Sequence, residues 1–299
     1  MTITTNKLGK RERVRGKLQK HERLDEWTLL LKSAGEAAAD PWRSTVLLHH
    51  PPPDLRPGGE LQKEQRDKIN TIIAGKAKRY VLSVEMSSGL RIVKFFEPRS
   101  LGNHLGGLLH QSTSQREHFN QLRAESLGTA ATTTLGYLEL YQNYRLVRAA
   151  QIQEPVNPTT CLPFNEFFPA EFKRFSDEAI PPLARAMGRM HARGFFHNDL
   201  KSFHAYVRPL TPDQPREHPA EYDLLWIDLA GAGFRLTKRQ RVINLYQALR
   251  YLLPPNDHLY THFLRAYCEA THWHQHTPER AIKTVKSFLN YKLRTHPQP

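Results

Sequence analysis

The 299-residue sequence predicts an α+β protein of two lobes, β-rich first and α-rich second. Three observations predict it. Residues 80–96 alternate apolar and polar around a tight turn. A second alternating pair spans residues 135–149. After Gln153 the apolar spacing changes from two residues to three and four.

Residues 1–20 are polar and hold seven basic side chains (Lys7, Lys10, Arg11, Arg13, Arg15, Lys17, Lys20) against one acid, Glu12. They read as a mobile arm. A helix is expected around residues 24–32. The run His49-His50-Pro51-Pro52-Pro53 through Gly58-Gly59 reads as a linker. The domain scheme is therefore a basic arm and linker over 1–60, a first lobe over 61–154 and a second over 155–299.

In the first lobe, residues 80–86 form a strand, Ser87-Ser88-Gly89 turns, and residues 90–96 return as its partner. Ser112 and Ser114 cap a helix through about Ala124, with Phe119 and Leu122 on one face. Strands follow over 135–141 and 144–149, joined by Gln142-Asn143. In the second lobe, residues 177–193 carry Ile180, Leu183, Ala184, Met187 and Met190 at helical spacing and stop at Gly194. A short strand at 205–207, a polar loop and a strand over 223–228 come next. Residues 237–253 are helical up to Pro254-Pro255, and one or two further helices fill 257–294.

Composition narrows the partners. Forty-three basic against 29 acidic residues give a net charge of +14, a surface that attracts anions such as nucleotide phosphate or an anionic membrane face. No nucleic-acid-binding signature accompanies the charge, so no nucleic acid is expected. Cys161 and Cys268 are far apart and build no disulfide framework, which favours a reducing compartment. No apolar run approaches the ~20 residues that span a bilayer, and no signal-type stretch follows the basic start. The expected location is cytoplasmic. His272-Trp273-His274-Gln275-His276 reads as a polar loop before Thr277-Pro278 rather than as a metal tract.

Three signals carry chemistry, in a fixed order. Lys94 ends the apolar run Arg91-Ile92-Val93. His197-Asn198-Asp199-Leu200-Lys201 follows a helix and precedes a short strand. Leu224-Leu225-Trp226-Ile227 is a buried-type strand ending in Asp228, with Leu229-Ala230-Gly231 after it. Phosphoryl transfer needs a cation on the nucleotide phosphates, a carboxylate at the attacking hydroxyl and a carboxylate on Mg²⁺. A strand Lys, a loop Asp and a post-strand Asp supply that set.

The stretch from His191 through His197-Asn198-Asp199-Leu200-Lys201-Ser202-Phe203-His204, followed by Trp226-Ile227-Asp228-Leu229, resembles the lipopolysaccharide-core kinases, the Kdo and heptose kinases related to protein kinases. The resemblance covers about residues 75–255, and His204 carries most of it. Ordinary kinases have a metal-binding Asn five residues after the catalytic Asp; this family has His there, before a hydrophobic strand.

The resemblance implies a protein-kinase-like fold and an ATP- and Mg²⁺-dependent phosphotransferase. It makes Asp199 the residue that orients and deprotonates a sugar hydroxyl and places Lys201 on the γ-phosphate. Asp228 and His204 become metal ligands, and Lys94 holds the α/β phosphates. Glu117 pairs with Lys94, with Glu125 the rival on the same helix. His197 braces the loop, and residues 148–154 form a hinge that binds adenine through backbone groups. The implied acceptor is a lipid-linked or small sugar of the lipopolysaccharide inner core, met by a monomer at the anionic face of the inner membrane.

The chain also departs from the kinase pattern. Asn198 stands where regulated protein kinases have Arg, no Phe-Gly follows Asp228, and only Gly75 precedes Tyr80 where a Gly-rich phosphate loop is usual. No Ala-Pro-Glu follows Asp228 and a helix starts within about ten residues, which leaves little platform for a peptide. The rival readings are an atypical small kinase acting on a protein or another small molecule, and a pseudokinase-like binding module.

Overall fold

The structure, a computed structural model, describes residues 2–7, 12–19, 22, 47–48, 79–86, 88–96, 111–129, 131–142, 145–168, 179–211, 221–273 and 278–295. The expected helix at 24–32, the linker at 49–59 and the phosphate loop before Arg79 lie outside these residues. The chain separates into two compact units, Met1–Leu122 with Thr133–Pro155 and Arg123–Thr132 with Val156–Pro299.

The first unit is one antiparallel sheet. Its strands are β1 (Thr2–Lys7), β2 (Glu12–Leu18), β3 (Leu47–Leu48), β4 (Arg79–Met86), β5 (Gly89–Phe96), β6 (Thr134–Gln142) and β7 (Arg145–Gln153), in the order β1-β2-β6-β7-β5-β4-β3. The β4–β5 hairpin falls where the alternation put it. Gly89 takes φ 107° at the turn, a conformation that glycine adopts without Cβ strain. Strand β7 runs four residues beyond its expected end, because Ala149 to Gln153 pair with β5 on one side and β6 on the other.

The mobile arm is corrected by the structure. Residues 2–7 and 12–18 form a hairpin that extends the sheet, with β2 pairing with β6 from Glu12↔Gln142 to Leu18↔Gly136. The basic residues conceal a strand alternation: Val14, Gly16 and Leu18 are buried. Arg15 reaches Glu139 at 2.5 Å and lies over the Tyr141 ring. A Cβ on Gly16 would stand 2.1 Å from the Tyr137 carbonyl oxygen, so a glycine is required where β2 approaches β6.

Helix α1 (Thr113–Ser126) is capped by Ser112, whose Oγ accepts from the Gln115 N–H at 3.1 Å. Its buried face differs from the expected one. Phe119 and Leu122 are half-buried, whereas Ser114, Glu117, His118 and Gln121 are buried.

The second unit holds α2 (Phe164–Phe167), α3 (Ile180–Ala192), α4 (Lys238–Tyr251), α5 (Asp257–Thr271), α6 (Pro278–Thr295) and the small sheet β8 (Leu162–Pro163), β9 (Ala205–Pro209), β10 (Tyr222–Trp226), ordered β10-β9-β8. Gly194, at φ 76°, ends α3. Thr237 starts α4 with a capping box to Gln240, and Asn256 caps α5. The core joins Phe195, Trp226, Leu249, Phe263 and Tyr267. Cys161 and Cys268 are buried free thiols. Among the described residues, no helix is long and apolar enough to cross a membrane.

Candidate active site

In the first unit the chemistry-bearing group is Lys94. Alternation along β5 turns its side chain under α1, where it is 5% exposed, and Nζ forms an ion pair with Glu117 Oε1. Burying a lone ammonium is costly, so the carboxylate opposite it is required. Glu125, the rival, is two turns further along α1 and exposed. The stretch read as an adenine-binding hinge is instead largely ladder. The strand pairing engages residues 149–153 on both sides, and Glu154 donates its N–H to the Thr133 carbonyl at 2.9 Å.

In the second unit two loops converge. The first leaves Gly194, where buried Phe196 exchanges two backbone hydrogen bonds with Gly233, both at 3.0 Å. A Cβ at position 233 would lie 2.1 Å from the Phe196 ring, so the two loops touch only because that residue is glycine. His197 then ties the loops together. Its Nδ1 accepts the Asp199 N–H at 3.2 Å, and its Nε2 donates to the Ile227 carbonyl at 2.9 Å. These partners specify a neutral imidazole with its hydrogen on Nε2. Burial pushes its pKa down to about 4, which keeps that form.

His204 closes the first loop as the end of a 3₁₀ turn, Ser202–His204. Its Nδ1 lies 2.9 Å from the Asp199 carbonyl oxygen and must donate there, which turns Nε2 toward Asp228 Oδ2 at 3.7 Å. Asp228 itself sits in the left-handed region, φ 60° and ψ 56°. Non-glycine residues enter that region at a cost, and Asp is among the few that tolerate it. One ligand atom from each of Asp199, His204 and Asp228 lies within 4.8 Å of the others. Two carboxylates and an imidazole nitrogen turned toward them suit a divalent cation that accepts oxygen and nitrogen donors. Lys201 Nζ lies 2.9 Å from the Asp199 carboxylate and over the Phe203 ring.

A polar layer behind this cluster was missed at the sequence level. Asn244 on α4 donates to the His197 carbonyl at 2.6 Å, while its Oδ1 accepts the His197 N–H at 3.3 Å and lies 3.2 Å from His191 Nε2. His191 Nδ1 meets the Tyr267 hydroxyl at 2.7 Å. Gln247 donates to the Asn198 carbonyl at 2.7 Å, and the Asn198 side chain donates to the Gly231 carbonyl at 2.5 Å. The available signal was an asparagine in mid-helix, where it is a poor helix former.

No protein-family model matches this chain, and no curated protein matches its sequence. Solved structures do. The structure of WaaP in complex with acyl carrier protein aligns over 75% of this chain and 87% of that one, at 19% identity and a TM-score of 0.50. The BubR1 kinase domain aligns over 91% of this chain and 95% of that one, at 13% identity and a TM-score of 0.41. A divergent Toxoplasma kinase lacking the glycine-rich loop aligns over 80% and 82%, at 13% identity and a TM-score of 0.36. The likeness to WaaP shows the fold alone: a sheet-rich first unit and a helical second one, the protein-kinase-like architecture that the sequence predicts.

Proposed function

We propose that this chain is an ATP-dependent kinase that phosphorylates a sugar hydroxyl, most closely one of the lipopolysaccharide inner core. The observation that carries the proposal is the meeting of Asp199, His204 and Asp228 within 4.8 Å. The kinase-like fold supports the reaction class. The sugar acceptor rests on the resemblance around His204 and on the short path from Asp228 to α4, which begins at Lys238. The other readings lack a specific observation of this kind.

Mg²⁺-ATP would supply the phosphoryl group and the charge neutralisation its transfer needs. Asp228 Oδ and His204 Nε2 would hold the metal, with His204 fixed in the required tautomer by the Asp199 carbonyl. Lys94, held by Glu117, would neutralise the α/β phosphates. Asp199 would orient the acceptor hydroxyl and take its proton as the oxygen attacks the γ-phosphorus. The new O–P bond forms as the bond to the β-phosphate oxygen breaks, and ADP leaves. Lys201, alongside Asp199, would offset the negative charge of the phosphoryl group in transit.

The test is ATP consumption by the full chain with lipid-A-core acceptors, small sugars and a generic protein. Sugar-dependent turnover that falls at least about a thousandfold in folded Asp199→Ala and Asp228→Ala supports the assignment. Full activity in folded Asp199→Ala overturns it.

A further inference from the structure

The buried face of α1 is polar, and its polar groups are arranged in one pattern. Gln121 stands one turn after Glu117, on the same side of the helix. Its Nε2 donates to Gln153 Oε1 at 3.0 Å, and its Oε1 accepts from Gln151 Nε2 at 2.6 Å. Both partners lie on β7 two residues apart, so both point to the face of the sheet beneath the helix. All three glutamines are fully buried. Gln151 is the Cα partner of Lys94 across the β5–β7 ladder, and Gln153 is that of Ile92. The lysine and the two glutamines therefore share one surface.

Unlike apolar contacts, an amide has two dissimilar ends. Gln121 meets a donor with its oxygen and an acceptor with its nitrogen, so only one rotation of α1 satisfies both. Turning the helix by one residue, about 100°, would bring half-buried Leu122 to this spot. That would leave the buried amides of β7 without their partners, a costly state. A neighbouring contact reinforces the arrangement: His118 Nδ1 lies 2.8 Å from Thr134 Oγ1, which in turn lies 3.4 Å from Gln151 Nε2. Apolar side chains of this size would fill the same volume without specifying a rotation.

We propose that Gln121, Gln151 and Gln153 are positioning residues that lock the rotation of α1 and so deliver Glu117 to Lys94. The lock lies wholly within the first unit. The catalytic consequence rests on the reading of Lys94 as a phosphate-binding lysine; the lock itself does not.

The variant Gln121→Leu keeps volume and removes both amide contacts. In the full chain it should lower the thermal midpoint by several degrees without unfolding the protein, since the packing volume is retained but the buried amides of Gln151 and Gln153 lose their partner. Amide hydrogen exchange across α1 should quicken by about tenfold or more. The kcat for phosphoryl transfer should fall by about tenfold with little change in the acceptor KM, because the phosphates lose alignment. In a Lys94→Met background, Gln121→Leu should lower kcat no further, the non-additivity expected if it acts through the ion pair.

Gln153→Met removes one contact and keeps the other; it should show a smaller effect in the same direction and serves if Gln121→Leu does not fold. Wild-type exchange across α1 in a folded variant overturns the lock. Faster exchange with wild-type kcat overturns the positioning role alone. If the wild-type chain transfers no phosphoryl group, the kinase reading fails, and the exchange measurement still decides the lock.

Discussion

His204 Nδ1 donates to the backbone carbonyl of Asp199 at 2.9 Å, so a single imidazole shapes the loop that carries one carboxylate and aims its second nitrogen at Asp228. Two roles, the loop bracing and the proposed metal binding, meet in one side chain, and substitutions can separate them.

The first prediction separates these roles. His204→Asn offers an oxygen to the cation and an amide donor to the Asp199 carbonyl, so it should keep much of the activity. His204→Leu offers neither. It should raise the Mg²⁺ concentration for half-maximal activity by about tenfold or more, the scale seen when a ligand or its support is lost. A Mg²⁺ titration of both variants decides it. Unchanged Mg²⁺ dependence in His204→Leu would reduce the residue to a packed histidine.

The second concerns pH. His118, His191 and His197 are buried, and burial is the first cause that lowers each pKa from 6.5 to about 4. The folded chain therefore keeps all three neutral where the unfolded chain begins to protonate them. Stability from these groups is complete above pH 6.5 and is lost as pH falls from there toward 4. Each fully buried histidine contributes up to about 3 kcal/mol across that window. Thermal midpoints should decline steadily from pH 7 to pH 5, and His191→Gln should flatten the decline. A flat profile in wild type over that range would contradict the neutral, buried state of these rings.

Much of this was legible in the sequence, and the exceptions share a cause. The order Lys94, Asp199, Asp228 and the hairpin of β4 and β5 follow from local alternation and spacing. What escaped was polar. The strand β2 was hidden because Arg13, Arg15 and Lys17 dominate its composition, though Val14, Gly16 and Leu18 carry its inward face. The buried face of α1 was read as Phe119 and Leu122, because a hydrophobic pattern cannot reveal a helix that docks through glutamines. Asn244 escaped for the same reason: the two histidines it braces lie 47 and 53 residues away and no local rule anticipates them.

The third prediction tests the N-terminal hairpin as part of the sheet. Gly16→Val should destabilise the protein by about 1–3 kcal/mol, because the new Cβ meets the Tyr137 carbonyl and forces β2 away from β6. The thermal midpoint should drop by several degrees, and amide exchange in β6 should increase. No change in either measurement would mean that residues 12–18 do not belong to the sheet.

The last prediction returns to the anionic surface. Seven of the first twenty residues are basic, and deleting them would be the obvious test of a membrane-binding segment. The structure makes that deletion uninformative, since removing β1 and β2 strips β6 of one of its two neighbours. Charge must be changed without removing strands. Arg15 is to be left alone because it pairs with Glu139. Changing Lys7, Lys10, Arg11, Arg13 and Lys17 to Gln keeps the chain length and removes five charges. Each basic residue near an anionic bilayer contributes up to about 1 kcal/mol, screened by salt, so binding to vesicles containing anionic lipid should weaken by at least about tenfold. Wild-type binding should fall steeply between low and physiological salt, and turnover of a small soluble acceptor should be the same in both proteins. Equal vesicle binding by the two at low salt would place the membrane contact elsewhere on this +14 chain.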